Sequence, residues 1–456
     1  MKTFDLVVLG GGAAGLAAAR AARWEHASVA LISDSPLGGD CTFTGCVPSK
    51  SLIEAARQGQ SFDQAVAHVA HVVEQVASNE NATVLRGEGV DVIEARGWFV
   101  GPKQIEVTYA DGSTQRVSGD KIIIASGSRP AAPPIDGLDQ VPYRTNETFF
   151  EPRRQPESLV VIGAGPIGCE LGEAMARLGT KVTLVESADR VLSQYEPDAS
   201  ELVEAGLLER GIDLRTNTGA QRVSFGQGRF QIDVGDETIE AEELLVAAGR
   251  KPNTAYFGLD AAGVKLTNKG YIDVDAYLQT NVKGIFAAGD CNGIQMLSHA
   301  ADEMGRLAAW TALRTGRRYK YDPNRIPHAV FTTPEVAAIG VLEADAPADA
   351  RVAEIAMAAN DRALAAGQPE GFVRLIARPT LITKHKAGGK VIGATIVGGR
   401  AGEMINEVAL IMRSNAYGFR LAQTVRAYPS WSTVMQKAAT RWFYQYEGKG
   451  ARPPRQ

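Results

Sequence analysis

Cys41 and Cys46 stand in a Cys-x4-Cys arrangement inside GGDCTFTGCVPSK, residues 38–50, in a chain of 456 residues with only four cysteines. Two thiols just beyond a glycine-rich loop point to redox chemistry. Five residues of straight α-helix advance roughly 7.5 Å along the axis, beyond the roughly 4.4–6.8 Å that a disulfide tolerates between Cα atoms. If the two cysteines pair, the segment between them must be distorted. Gly45 supplies a permissive backbone position before Cys46, and Pro48 suits the first turn of the helix that SLIEAARQG continues. Cys46 is therefore expected at a helix N-terminus, where the dipole favours a thiolate, with the Lys50 ammonium on the same face one turn later. The alternative is two buried, reduced cysteines acting as small hydrophobes.

The elements that must hold this segment come as a repeat. FDLVVLGGGAAGLAAARAARWEHASVALIS is followed by SLVVIGAGPIGCELGEAMARLGTKVTLVES. Gly10, Gly12 and Gly15 recur as Gly163, Gly165 and Gly168, each set after an apolar β-branched run and before an Ala-rich helical stretch. Two such strand–turn–helix units imply two dinucleotides. Eighteen residues after the third glycine the second unit has Glu186, while the first has Ser33 followed by Asp34. Glu186 suits a ribose with free hydroxyls and repels a 2′-phosphate, so NAD(H) is expected over NADP(H); Arg190 nearby is the cation that would accommodate the phosphate. In the first unit Ser33 or Asp34 must serve.

Three further strands end in glycine turns: DKIIIASGSRP at 120–130, ELLVAAGRKPN at 243–253 and GIFAAGDCNG at 284–293. Such turns often simply close a sheet. Asp290 is the exception, because a carboxylate at a Gly-Asp turn can accept hydrogen bonds from a polyol such as the ribityl chain of a flavin. From about residue 326 the pattern changes to IPHAVFTTPEVAAIG, GFVRLIARP, KVIGATIVG and a helical INEVALIMRSN, which predicts an antiparallel sheet with helices. The fold class expected is α/β, with two Rossmann-like dinucleotide-binding domains followed by an α+β domain.

Composition narrows the function classes. A formal charge of −4 offers no basic footprint for nucleic acid, and no apolar run approaches the length of a membrane span. The N-terminus enters a strand without a signal-like segment, so the cytoplasm is the expected compartment. Four cysteines do not make a secreted disulfide framework. No metal-ligand set is expected, and the tail GKGARPPRQ reads as a frayed end.

With these motifs in order, the chain resembles the flavoprotein disulfide reductases, which include dihydrolipoamide dehydrogenase, glutathione reductase and mercuric reductase. The resemblance covers essentially the whole chain. It implies FAD on the first unit, held by Gly10, Gly12, Gly15, Ser33, Asp34, Gly39, Ser126, Gly127 and Asp290. It implies NAD(H) on the second, held by Gly163, Gly165, Gly168, Glu186 and Gly249. The implied domains are an FAD-binding domain in two parts, 1–150 and 273–325, an NAD(P)-binding domain at 151–272, and a C-terminal domain at 326–456 that forms a homodimer with shared active sites. The same resemblance sets Cys46 against the flavin, makes Cys41 the thiol that exchanges with substrate, and puts Lys50 near flavin N5 with Glu170 as its partner. Electrons then pass from NADH through the flavin to a Cys41–Cys46 disulfide, and on to a small disulfide or a protein-bound lipoyl group, or in reverse from a dithiol to NAD.

One part of the pattern is missing. Where glutathione reductase and dihydrolipoamide dehydrogenase have a C-terminal histidine and glutamate, this chain reads VRAYPSWSTVMQ, with Tyr428 and Thr433 in their places. A tyrosine is a worse base at neutral pH by roughly three to four pH units, about 4–5 kcal/mol, although it still donates a proton. The Tyr-Pro-Ser wording resembles a mercuric-reductase-like branch, so a metal-ion reductase is one alternative function. The chain nevertheless carries neither a C-terminal cysteine pair nor an N-terminal Cys-x-x-Cys domain. A redox-responsive protein that binds FAD and NADH and signals to a partner is the other alternative. Cys169 and Cys291 are expected as small buried side chains in nucleotide-binding turns. His328 is a candidate replacement base, His299 a positioning or core residue, and His26, His68, His71 and His385 carry no functional signal.

Overall fold

The computed structural model describes residues 2–151, 153–380, 384, 386–446 and 448–455; His385 lies outside them. The chain divides into two compact units, one of residues 1–133, 144–154 and 248–323, the other of 134–143, 155–247 and 324–456.

The first unit is built on a seven-stranded sheet. Four strands run parallel in the order Asp91–Glu94, Val29–Ser33, Lys2–Leu9 and Thr114–Ile124, with Ile285–Ala287 pairing in parallel on the last of them. Gln104–Thr108 and Arg96–Gly101 continue the sheet antiparallel from Thr114–Ile124. The runs LVVL, VALI and III are buried without alternation, as expected for strands covered on both faces. The helices Ala13–Trp24 and Ser298–Leu313 pack against each other. Residues 248–272, grouped in sequence with the second nucleotide-binding segment, make their pairings in this unit: Arg250–Pro252 pairs antiparallel with Ser128–Pro130, and the Phe99 N–H donates to Phe257 O.

The second unit repeats the parallel motif on a smaller scale, with Asp213–Arg215, Lys181–Val185, Ser158–Ile162 and Glu243–Val246 in that order, and the helix Pro166–Arg177 following the second glycine loop. A three-stranded meander spans Ala220–Gly226, Arg229–Val234 and Glu237–Ala241. A five-stranded antiparallel sheet follows, in the order His328–Val330, Glu335–Gly340, Lys390–Gly398, Phe372–Arg378 and Arg351–Ala356. Ile396, Leu375 and Ile355 join Ile405, Val408 and Met435 of the helices Ala401–Arg413 and Thr433–Thr440 in its core. The α/β class and the α+β C-terminal part are thus as the sequence predicts.

The tail departs from the expectation of a frayed end. Arg452 exchanges backbone hydrogen bonds with Val352, and its guanidinium binds Glu343 and Glu354. The backbone N–H of Arg455 donates to Glu343 at 2.6 Å. Arg374, only 2% exposed, stands at the centre of the same cluster, with Glu354 at 2.7 Å, Glu343 at 3.1 Å and Glu196 at 3.4 Å, and Asp198 bound to it as well. Charge complementarity therefore orders a segment whose glycines and prolines read as disorder.

Burial alone would raise the Glu343 carboxyl, but hydrogen bonds from Arg452 and the Arg455 N–H outweigh it and hold the carboxyl below its usual range. A depressed carboxyl contributes stability above its unfolded value near pH 4.3, and that contribution is lost as pH falls through the folded value. Arg374→Met leaves four carboxylates facing one another, two of them deeply buried. It is expected to cost about 3–5 kcal/mol, seen as a lower thermal unfolding midpoint, whereas an unchanged midpoint would show that the cluster contributes nothing.

Candidate active site

The two glycine loops are shaped by close backbone contacts. A Cβ on Gly15 would lie 1.9 Å from Gly10 O, and one on Gly168 would lie 1.9 Å from Gly163 O, so these glycines let each helix pack against its own loop. The middle glycines behave differently. A Cβ on Gly12 or Gly165 would meet nothing within 4 Å among the described residues. Gly12 and Gly165 are the N-caps of Ala13–Trp24 and Pro166–Arg177, and no side-chain cap bond is made at either. Each helix N-terminus thus presents N–H groups and the positive end of its dipole to open space, which fits the diphosphate of a dinucleotide.

The remaining first-unit residues fit the flavin nucleotide. A cavity of about 970 Å³ begins at Ser33 and Asp34, at the end of the second strand, and is lined by Leu37, Trp98, Tyr109 and Tyr256 among others. Burial raises the Asp290 carboxyl, opposed by the Ser128 hydroxyl, which donates to it at 2.5 Å, and by the Arg250 charge. Ser126 Oγ donates to Asn253 O at 2.6 Å and the Asn253 N–H donates to Gly127 O, so the Ser-Gly-Ser and Gly-Arg-Lys-Pro-Asn turns are one structure. Gly249, expected with the NAD loop, belongs to this first-unit assembly, and its carbonyl accepts from the Ala131 N–H.

The cysteine segment hangs from the first loop. The Gly38 N–H donates to Gly11 O at 2.9 Å, next to Gly39. Cys41 then lies in a short helix, Gly39–Phe43, which stops at Thr44 and Gly45 before Cys46 opens the helix Cys46–Arg57. That break is the distortion the spacing requires. Gly45 is needed there for space, since a Cβ would lie 2.7 Å from Asp40 O. Both cysteines are free and half-buried. Hydrogen bonding with Cys46, together with burial, pushes the Cys41 thiol up. Cys46 Sγ is 3.2 Å from Ser298 Oγ, and Lys50 Nζ donates to Ser49 Oγ at 3.3 Å.

In the second unit Glu170 is 4% exposed and accepts from the Phe331 N–H at 2.9 Å. Glu186 accepts from the N–H groups of Ala164, inside the loop, at 2.7 Å and of Ala188 at 2.8 Å. Arg190 has its guanidinium on Asp189 and Ser193 O. Tyr428 is exposed and its hydroxyl donates to Asp361 at 2.8 Å, which raises the phenol above its usual value. Thr433 Oγ1 instead donates to Ser430 O. His328 Nδ1 is 2.8 Å from the hydroxyl of buried Tyr195, while His299 is exposed rather than a core residue. Cys169 and Cys291 are fully buried, and burial pushes the Cys291 thiol up to about 12.

Three residues escaped the sequence reading. Asp361 lies 67 positions from Tyr428. Arg250 binds Asp40, next to Cys41, as well as Ser128 Oγ at 2.7 Å, and its Nε lies 3.6 Å from Asp290. Ser298 was passed over for its neighbour His299. Only the Gly-Arg-Lys-Pro-Asn turn gave any local signal, and it pointed to the glycine.

Comparison with known proteins agrees with this geometry. Residues 4–305 match the family model described as pyridine nucleotide-disulphide oxidoreductase, and residues 326–439 match its dimerisation domain. A dihydrolipoyl dehydrogenase of Geobacillus stearothermophilus is 33% identical over 95% of each chain. A mercuric reductase of Acidithiobacillus ferrooxidans is 34% identical over 94% of this chain and 80% of its own. The solved Cu(II) complex of the HOCl-induced flavoprotein disulfide reductase RclA from Escherichia coli superposes with a TM-score of 0.88 at 27% identity, over 96% of this chain and 99% of the other. No helix among the described residues is long and apolar enough to cross a membrane. Two open dinucleotide loops, a cysteine pair strapped to the first of them and both family models matched in order lead to one assignment: the chain belongs to the pyridine nucleotide-disulphide oxidoreductases, enzymes that use FAD and a pyridine nucleotide.

Proposed function

We propose that this enzyme is an NADH-preferring disulfide reductase in which Cys41 and Cys46 relay electrons, working as a homodimer in the cytoplasm. The observation that carries this reading is the placement of the pair: two cysteines in side-chain contact, at a break between two helices, on a segment bonded to the first glycine loop. When bound, FAD supplies the route by which a hydride from the pyridine nucleotide becomes an electron pair at sulfur. The chain's own contribution is binding and charge placement. Gly10, Gly12, Gly15, Gly39, Ser126, Gly127 and Asp290 would hold the flavin nucleotide, with Ser33 or Asp34 at the ribose. Gly163, Gly165, Gly168 and Glu186 would hold the nicotinamide nucleotide. Lys50 and Glu170 would supply a cation and its orienting carboxylate by the flavin. The preference for NADH rests on Glu186, with support from an Arg190 already occupied by Asp189 and Ser193 O.

Tyr428 favours reduction of substrate over oxidation of a dithiol. Its hydroxyl donates to Asp361, which raises the phenol above its usual value and keeps it protonated, so the phenol is a donor and not a base at neutral pH. A donor suits protonation of a leaving thiolate. The substrate in this reading is a small disulfide or a protein-bound lipoyl disulfide.

A second reading, reduction of a metal ion, is favoured by the same missing base, since a soft cation needs thiolates rather than proton transfer. The RclA structure is a Cu(II) complex. Among the described residues no group of three or more His, Cys, Asp or Glu is arranged to hold a metal, so such an ion would be substrate on Cys41 and Cys46.

Cys41→Ser and Cys46→Ser are each expected to reduce disulfide turnover at least about a hundredfold while NADH still bleaches the flavin. Undiminished turnover in both variants rules the relay out. Assays of wild type with lipoamide, glutathione disulfide, Hg(II) and Cu(II) separate the two readings, and activity with metal ions alone selects the second. Tyr428→Phe should lower kcat for disulfide reduction by about tenfold. The loss should be constant from about pH 6 to 9, because the phenol stays protonated throughout that range. A ratio that varies with pH would show that Tyr428 titrates as a base.

A further inference from the structure

Reduction of a Cys41–Cys46 disulfide takes two electrons, from the reduced pyridine nucleotide by way of the family's FAD, and one proton from solvent. The S–S bond breaks and one thiol and one thiolate remain. Which sulfur holds the charge determines which one is left to exchange with substrate. The dipole of the helix Cys46–Arg57 favours charge on Cys46, but that effect is shared with everything else at the same helix terminus.

A second contact is present. Ser298 opens the sixteen-residue helix Ser298–Leu313, and its hydroxyl lies 3.2 Å from Cys46 Sγ. A serine hydroxyl is a much better donor than a thiol, and a thiolate is an acceptor only, so in the charged state the proton lies on the oxygen. The helix is fixed in place. A Cβ on Gly305 would lie 2.1 Å from Ala14 O, so Ser298–Leu313 sits hard against the helix of the first glycine loop. Ser298 is thereby registered to the same loop from which the cysteine segment hangs.

We propose that Ser298 sets the polarity of the pair: its hydroxyl donates to Cys46 Sγ, holds the charge there, and leaves the proton on Cys41. This inference rests on the redox relay proposed above. The raised Cys41 thiol, pushed up by its hydrogen bond with Cys46 and by burial, agrees with it. The Ser298 hydroxyl also reaches Cys41 and there opposes the rise, so its effect on the pair is a difference between two sulfurs. Other titratable groups near the pair include Lys50, one turn along the Cys46 helix, Glu80, whose charge raises Cys41, His299, which follows Ser298, and Asp40, which precedes Cys41 and is bound by Arg250.

The test uses FAD-loaded enzyme reduced with a phosphine, so it does not depend on turnover. Iodoacetamide alkylation is followed across pH, and labelled Cys41 and Cys46 are separated by mass spectrometry. Ser298→Ala should raise the apparent pKa of Cys46 by about one unit, a tenfold loss of Cys46 labelling at low pH. Labelling should shift towards Cys41, and Ser298→Thr should restore the wild-type profile. A Cys46 profile unchanged in the alanine variant, or alanine and threonine variants altered alike, overturns the proposal. If NADH fails to convert the oxidised pair to two alkylatable cysteines in wild type, the relay itself fails, whatever Ser298 does to the thiol.

Discussion

The close approach of Gly15 to the carbonyl of Gly10 is the constraint on which the first unit depends. Any side chain at Gly15 would push the helix Ala13–Trp24 off its loop, and other parts of the site take their positions from that helix and loop. Gly38 bonds to Gly11 and so suspends the cysteines from the loop. Gly305 rests on Ala14 and so carries Ser298. The same three-glycine geometry in the second unit leaves the space beyond Gly165 open in the same way. Excluded volume, acting where there is no Cβ, places the chemistry more firmly than any hydrogen bond in the site.

Charge is handled differently in the two units. Around the cysteines Arg250 reaches Asp40, Ser128 and Asp290, Ser128 donates to Asp290, and Ser298 lies against Cys46. Around Arg374 the pairing is dense, with Glu196, Asp198, Glu343 and Glu354 sharing the cations of Arg374, Arg452 and Arg455. Desolvation makes such a cluster costly to assemble and more costly to leave incomplete. It suits a scaffold.

The sequence was most legible where the signal is local. Glycines at fixed spacing after apolar strands, a Cys-x4-Cys pair, and a change from parallel to antiparallel patterning near residue 326 are properties of short stretches. They predicted the elements and the fold class. What escaped is tertiary. Asp361 is an unremarked acid until the fold brings it to Tyr428, and Arg250 stands in a turn that advertised its glycine. The tail was misread because its glycines and prolines suggest disorder, while Glu343, which orders it, is more than a hundred residues away in sequence. Gly45 was correctly singled out, and the structure adds a steric reason, because a Cβ there would meet the carbonyl of Asp40.

The ordered tail has a consequence for association. Arg351–Ala356 is the last strand of the antiparallel sheet, and a bare edge of this kind is a template on which another chain can add a strand. Arg452 occupies part of that edge with its own backbone, and the arginines around it bring charge to the rim. The segment thus shields a sticky border of the sheet from indiscriminate strand-to-strand growth along that side.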